Sequence, residues 1–309
     1  MAPERPQLLD TVTALRLASE RWRSAGMTVG LVPTMGALHA GHRSLVRRAR
    51  AECDRIVVSI FVNPAQFGAG EDHDRYPRNV TSDLEICAVE RVDAVYLPAP
   101  DEVYPPGFAL RVAVVGRLTA ELEGAFRPGH FEGVAVVVAK LLVATRADRA
   151  YFGQKDAQQC AVVRRLARDL DTGSRIVVCP TVRDDDGLAL SSRNAYLSAA
   201  ERAQALAIPR GLAAAAAAVS AGEQDAARVI SIVREELAQS PLLTVDYVAV
   251  VDPENFEPVA RMTRSARIQV AARIGGTRLI DTLCAGFDEV PPVPARATAS
   301  AADRAAAAG

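Results

Sequence analysis

The chain has 309 residues, enough for about two domains at roughly 150 residues each. Apolar residues make up 50% and charged residues 24%, the balance of a folded globular protein and not of a disordered one. The 36 Lys and Arg against 37 Asp and Glu leave a formal net charge of −1, so no global field recruits nucleic acid or an anionic membrane.

Leu8, Val12, Leu15, Ala18 and Trp22 recur at helical spacing, which predicts an amphipathic first helix, with Gly26 as its stop. Met27 to Val32 reads as a buried strand. The turn-rich PTMGALHAGH and a basic helix from Arg43 to about Cys53 follow it. The pattern then repeats. Strands are expected at Arg55–Val62, Asp93–Leu97, Arg149–Phe152 and Arg175–Cys179. Helices are expected at about Ser82–Arg91, Val134–Ala144 and Asp156–Asp169. Such alternation predicts a parallel sheet covered on both faces, with ligands beyond the carboxyl ends of its strands. After Asn194 the character changes. Ser198 and Glu201 form a capping box that opens an Ala-rich helix toward Ala221. A helix at about Asp225–Gln239 and strands at Thr244–Val251, Arg267–Arg273 and Arg278–Leu283 complete a smaller α+β unit. The expected fold class is α/β, with a Rossmann-like parallel-sheet domain over residues 1–181 and a smaller C-terminal α+β lid domain over 182–288. A Pro/Ala-rich tail over 289–309 is expected to be disordered.

The five cysteines form no C-x-x-C pair, and the N-terminus lacks the apolar core of a signal peptide. The apolar run Val134–Val143 is broken by Lys140 and is too short for a bilayer. These features point to a reduced, cytoplasmic protein without membrane or nucleic-acid partners. Arg43, Arg47 and Arg50 read as a solvated helix face before they read as a nucleic-acid contact.

Four segments carry the chemistry. His39-Ala40-Gly41-His42 stands between a strand and a helix, where free N–H groups and the helix dipole favour an anion. Two imidazoles there can reach one polyphosphate, and Gly41 and Gly36 let the backbone approach it. Gly153-Gln154-Lys155-Asp156 also lies between strand and helix, with a Lys suited to phosphate oxygens. Leu190-Ser191-Ser192-Arg193 sets two hydroxyls beside a guanidinium. Asn63 and Gln66 follow the second strand and suit the hydroxyl and carboxylate groups of a small substrate. His130, in Arg127-Pro128-Gly129-His130-Phe131, reads as structural. No P-loop, no G-x-G-x-x-G after a strand and no G-x-S-x-G elbow is present.

Taken in order, PTMGALHAGH, FVNPAQF, RPGHFEG, YFGQKDAQQ and DGLALSSRN resemble the pantothenate synthetase (pantoate–β-alanine ligase) family over roughly residues 27–194. The resemblance implies a Rossmann-like nucleotidyltransferase. It would condense (R)-pantoate with β-alanine through a pantoyl adenylate, releasing AMP and pyrophosphate, with ATP as substrate and Mg²⁺ as cofactor, as a homodimer. It further implies an ATP site made of Met35, Gly36, Ala37, Leu38, His39, Ala40, Gly41 and His42, with Gly153, Gln154, Lys155 and Asp156, Val182, and Leu190, Ser191, Ser192 and Arg193. His42 takes the proton-donor position. The resemblance also implies catalytic places for His39, Lys155 and Arg193, a contact of Gln66 with pantoate and β-alanine and one of Gln159 with pantoate, with Asn63 grouped beside them. No metal ligands are assigned.

Two residues depart from the family pattern. Ala157 replaces a common large aromatic and is expected to loosen packing near pantoate; Leu190 for Met nearly conserves volume. Two other readings stay open: a nucleotidyltransferase making a CDP- or ADP-linked product, and a nucleotide-binding protein without turnover.

Overall fold

A computed structural model of the chain describes residues 5–286 and 288–292. Six short runs become parallel strands: β1 (Gln7–Leu9), β2 (Val29–Thr34), β3 (Arg55–Ile60), β4 (Ala94–Tyr96), β5 (Arg149–Gly153) and β6 (Arg175–Cys179). Their order in the sheet is β1-β4-β3-β2-β5-β6. The chain builds outward from β2 on one side, then returns to lay β5 on the other. The order therefore reverses between β2 and β5, and a crevice opens at their carboxyl ends.

The intervening helices are α1 (Val12–Ser24), α2 (Ala40–Glu52), α3 (Val80–Val89), the short α4 (Pro100–Val103), α5 (Arg117–Ala120) and α6 (Glu123–Phe126), then α7 (His130–Thr145) and α8 (Ala157–Asp169). Because side chains alternate along a strand, Leu31, Val57 and Ala150 pack on one face with Trp22 of α1, Leu142 of α7 and Val163 of α8. Val32, Val58 and Tyr151 pack on the other face with Leu45 and Ala49 of α2 and Cys87 of α3. Covering both faces is what allows the strands to be continuously apolar.

The smaller unit contains α9 (Ala199–Ala205), α10 (Ala207–Ser220), α11 (Ala226–Leu237) and the antiparallel sheet β7-β8-β9, formed by Leu243–Val251, Arg267–Ile274 and Thr277–Cys284. Its core joins Ile208 and Leu212 of α10 to Val229 and Val233 of α11 and Ile268 and Val270 of β8. Among the described residues one helical stretch, Ala199–Ser220, is long and apolar enough by length and composition to cross a membrane. It is interrupted at Leu206, and its Ile208–Leu212 face lies in this core. The Ser198–Glu201 capping box is present, with Ser198 N–H donating to Glu201 at 2.9 Å.

Several expectations need correction. Leu8 belongs to β1, not to the first helix; its side chain is exposed, and Thr11 caps the helix by accepting from Ala14 N–H. Strand β2 runs on through Pro33 to Thr34. It pairs with β5 only at Gly30 and Leu31, so the missing N–H of Pro33 costs no ladder bond on that side. The basic helix starts at Ala40; its arginine face is solvated as expected, while the side chains also pair with carboxylates of the protein. Arg43 and Arg47 bind Glu90 at 2.6 and 2.8 Å, and Arg50 binds Asp93. Residues 293–309 of the expected tail lie outside the described residues.

Candidate active site

The loops after β2, β3, β5 and β6 converge on one cleft, at the place where the strand order reverses. Its walls include Met35, His39, Gly41 and His42 from the first loop and the start of α2. Asn63 and Gln66 come from the second loop, Gly153, Lys155 and Asp156 from the third, and Gln159 from α8. Val182, Leu190, Ser191, Ser192 and Arg193 close it from the segment after β6.

The two imidazoles are built into the start of α2. His39 is the N-cap, and its Nδ1 accepts from Gly41 N–H at 3.1 Å. His42 Nδ1 accepts from His39 N–H at 3.3 Å, and the ring centroids lie 4.1 Å apart. An Nδ1 that accepts an amide hydrogen leaves the ring proton on Nε2, so each ring offers the cleft an Nε2–H donor. Burial, followed by the charge of Lys155, lowers the His39 pKa from 6.5 to about 4. Burial, then His39 and Lys155, lowers that of His42 to about 3. Both rings are neutral at pH 7, a charge state that the sequence left undecided.

Five residues expected at the nucleotide do not line the cleft. Gly36, Ala37 and Leu38 turn behind it, because the Asp83 carboxylate accepts from the N–H groups of Ala37 and Leu38 at 2.9 and 2.7 Å. Ala40 is the exposed first residue of α2, and the Gln154 amide reaches the Asp288 carboxylate instead. The role expected of the glycines changes too. A Cβ on Gly41 would lie 2.8 Å from His39 Cε1, and one on Gly36 would lie 2.9 Å from Asp83 Oδ2. These glycines make room for protein groups. Ala157 is likewise away from the cleft. It packs with Leu118, Phe131 and Phe256 in an apolar cluster between α8 and the small sheet.

Arg193 is held before any ligand arrives. Its Nε and Nη2 donate to the two Asp72 oxygens at 2.8 Å each, and its guanidinium lies 5.9 Å from the Tyr76 ring centroid. Ser192 Oγ accepts from the Tyr76 hydroxyl at 3.4 Å and donates to the Ala37 carbonyl at 3.3 Å. Asp72, Tyr76 and Asp83 were not singled out from the sequence. They sit far along the chain from the groups they hold, and an isolated acidic or aromatic residue carries no spacing signal. Thr181 was missed as well. It lines the cleft, and its buried hydroxyl has no hydrogen-bond partner among the described residues.

Uncharged and cationic donors gathered at a helix start, beyond the carboxyl ends of a parallel sheet, define an α/β enzyme built to hold a polyphosphate. Comparison with known proteins narrows this class. The family model for pantoate-beta-alanine ligase matches residues 7–284. The pantothenate synthetase of Acidobacterium capsulatum is 52% identical over 271 residues, covering 88% of this chain and 90% of its own. The crystal structure of the pantothenate synthetase from Thermus thermophilus superposes with a TM-score of 0.86 at 47% identity, covering 90% of this chain and 99% of that one. A Francisella tularensis pantoate-beta-alanine ligase, complexed with beta-gamma ATP and beta-alanine, matches with a TM-score of 0.72 at 32% identity. That match covers 90% of this chain and 97% of the other. The chain belongs to the pantoate–β-alanine ligase family.

Proposed function

We propose that the chain joins (R)-pantoate to β-alanine in two steps within this cleft, using ATP and passing through a pantoyl adenylate. The observation that carries the reading is a single cleft with Nε2–H, Lys155 and Ser-Ser-Arg donors for phosphate and the amides of Gln66 and Gln159 for a small polar acid. In the first step a pantoate carboxylate oxygen attacks the α-phosphorus of ATP, and the P–O bond to pyrophosphate breaks. The carboxylate is already ionised at pH 7, so no base is needed. The protein has to bring two anions together and stabilise charge on the leaving pyrophosphate. His39, His42, Lys155, Ser191, Ser192 and Arg193 supply the donors. Burial and the charge of Lys155 keep His39 and His42 neutral, so both offer the phosphates a hydrogen bond from Nε2–H. In the second step the β-alanine amine attacks the acyl carbon and AMP departs. The AMP phosphate or a water takes the amine proton.

Among the described residues no group of three His, Cys, Asp or Glu could hold a metal ion. Asp156 is the one carboxylate among the residues lining the cleft. Asp156, together with the ATP phosphates, would hold a Mg²⁺ there. When bound, the ion would neutralise phosphate charge. We divide the chain at 181/182 and regard the enzyme as cytoplasmic and homodimeric. Light scattering at the monomer mass would sink the dimer assignment.

The test is isotope exchange between pyrophosphate and ATP with Mg²⁺ and pantoate but without β-alanine. Pantoate-dependent exchange is expected, with pantothenate and AMP appearing once β-alanine is added. Exchange that requires a different acid would move the substrate. ATP binding without exchange or turnover would overturn the reading.

A further inference from the structure

Gln66 ends a one-turn helix, Pro64–Gln66, that is capped by Asn63. Asn63 is 1% exposed, and two backbone groups decide which end of its amide is which. Its Nδ2 donates to the Gly133 carbonyl at 3.1 Å, and its Oδ1 accepts from Ala65 N–H at 3.3 Å. The orientation of two further neighbours follows. The Tyr104 hydroxyl, 2.6 Å from Oδ1, must donate, and Gln66 Oε1, 3.0 Å from Nδ2, must accept. One lone pair of the Gln66 amide oxygen is therefore taken up inside the protein, and the orientation of the amide is fixed. Its Nε2 is the free end, 3.1 Å from the Met35 thioether, which accepts only weakly.

The backbone of Gln66 is held as firmly. Its carbonyl can only accept, so His130 Nδ1, 2.9 Å away, carries the proton. Nε2 of His130 then accepts from Arg127 Nη1 at 3.1 Å, while Arg127 also binds Glu71 through two 2.7 Å bonds. Burial and the charge of Arg127 lower the His130 pKa to about 4, consistent with one proton and one lone pair. Space is closed as well: a Cβ on Gly133 would lie 2.1 Å from the Ala65 carbonyl oxygen. Tyr104 is not among the residues lining the cleft, whereas His130 and Arg127 do line it.

We propose that Tyr104 and His130 are positioning residues that hold the Gln66 amide with its N–H₂ as the free end, so that this end of the cleft selects carboxylate and hydroxyl oxygens over the β-alanine ammonium. The proposal rests on the assignment of Gln66 to the acid substrates. One hydrogen bond to a neutral group is worth a factor of about 2 to 10 in an equilibrium constant. In the full-length enzyme, Tyr104→Phe is expected to raise KM for pantoate about fivefold and to leave KM for ATP within about twofold. His130→Ala should do the same, and His130→Asn, whose amide can still donate to the Gln66 carbonyl, should recover most of the loss. Gln66→Glu has the same shape with an acceptor in place of the donor, and should be worse for pantoate than Gln66→Ala. Unchanged pantoate KM in Tyr104→Phe, an equal rise in KM for ATP, or a tolerated Gln66→Glu would each overturn the proposal. If Gln66→Ala itself leaves pantoate KM unchanged, the assignment of Gln66 fails first. Should His130→Ala not fold, Tyr104→Phe and Gln66→Glu decide the question, with thermal melts confirming that both are folded.

Discussion

Replacing Asp83 by Asn probes how the loop before the paired histidines is held. Asp83 lies in the first turn of α3, where the helix dipole favours a carboxylate, and is 2% exposed. Burial raises its pKa, and the hydrogen bonds from Leu38 and Ala37 work against that rise. Those bonds, 2.7 and 2.9 Å long, hold Gly36 at φ +82° and Ala37 at φ +50°, a backbone that costs a non-glycine residue about 1 kcal/mol. Asn keeps one acceptor and turns an N–H₂ toward the second amide. One charge-assisted bond is lost and one N–H is left facing a donor. Relief from burying a charge offsets part of this, for a net loss of about 2 kcal/mol. For a chain of this size the melting temperature should fall by on the order of 5 °C. Freed from Asp83, the loop no longer fixes His39, and kcat/KM for ATP should drop at least tenfold. Differential scanning calorimetry and steady-state kinetics with ATP as the varied substrate read both effects. A variant with an unchanged melting temperature and unchanged ATP kinetics would refute the reasoning. A stability loss without a kinetic one would reduce Asp83 to a structural residue.

Removing His42 or Lys155 by substitution with Ala should lower kcat by on the order of a hundredfold, the cost of one preorganised donor to developing charge; near wild-type kcat would remove them from the phosphate site. His39, His42 and His130 have pKa values of about 4, 3 and 4, against an ordinary histidine value of 6.5. Between these values the unfolded chain binds more protons, so their contribution is complete above pH 6.5 and is lost as pH falls toward 4. Melts between pH 7 and 5 should show a decline that His42→Gln reduces, and a flat profile in both proteins would contradict the neutral, buried assignment. Glu123 ties α6 to the small sheet through two 2.7 Å bonds from Arg278 and one from the Tyr247 hydroxyl. Glu123→Ala should cost about 2–3 kcal/mol, because Arg278 keeps only Asp246 and the Tyr247 hydroxyl loses its partner; denaturant melts that shift by under about 1 kcal/mol would show that the site relaxes.

The alternation of strands and helices was legible because a parallel sheet writes its burial as continuous apolar runs. Two of the segments proposed for phosphate, His39–His42 and Gly153–Asp156, were legible because each breaks such a run at or after a strand end. What escaped was held by contacts remote in the chain. Asp83 lies 46 residues from Ala37 and 45 from Leu38, and Asp72 lies 121 residues from Arg193. Local accident misled in one place: Leu8 falls four residues before Val12, which matches a helix period, yet its exposed side chain is incidental to β1. Ala157 misled differently. Its smallness implied slack near the substrate, whereas Phe256 and Phe131 pack around it at the contact between α8 and the small sheet.

The loop after β3 links the two ends of the cleft. Glu71 clamps Arg127, which together with His130 holds the Gln66 carbonyl. Its neighbour Asp72 clamps Arg193, and Tyr76, four residues on, meets Ser192. Two adjacent carboxylates thus fix the residue proposed for the acid substrates and the guanidinium proposed for the phosphates. In-line attack succeeds only when the reacting atoms are brought to about 3–3.5 Å and aligned. A loop that moved one end without the other would lose that alignment, so a single short segment controlling both is a mechanical advantage. Each carboxylate limits the positions open to the guanidinium that it pairs with.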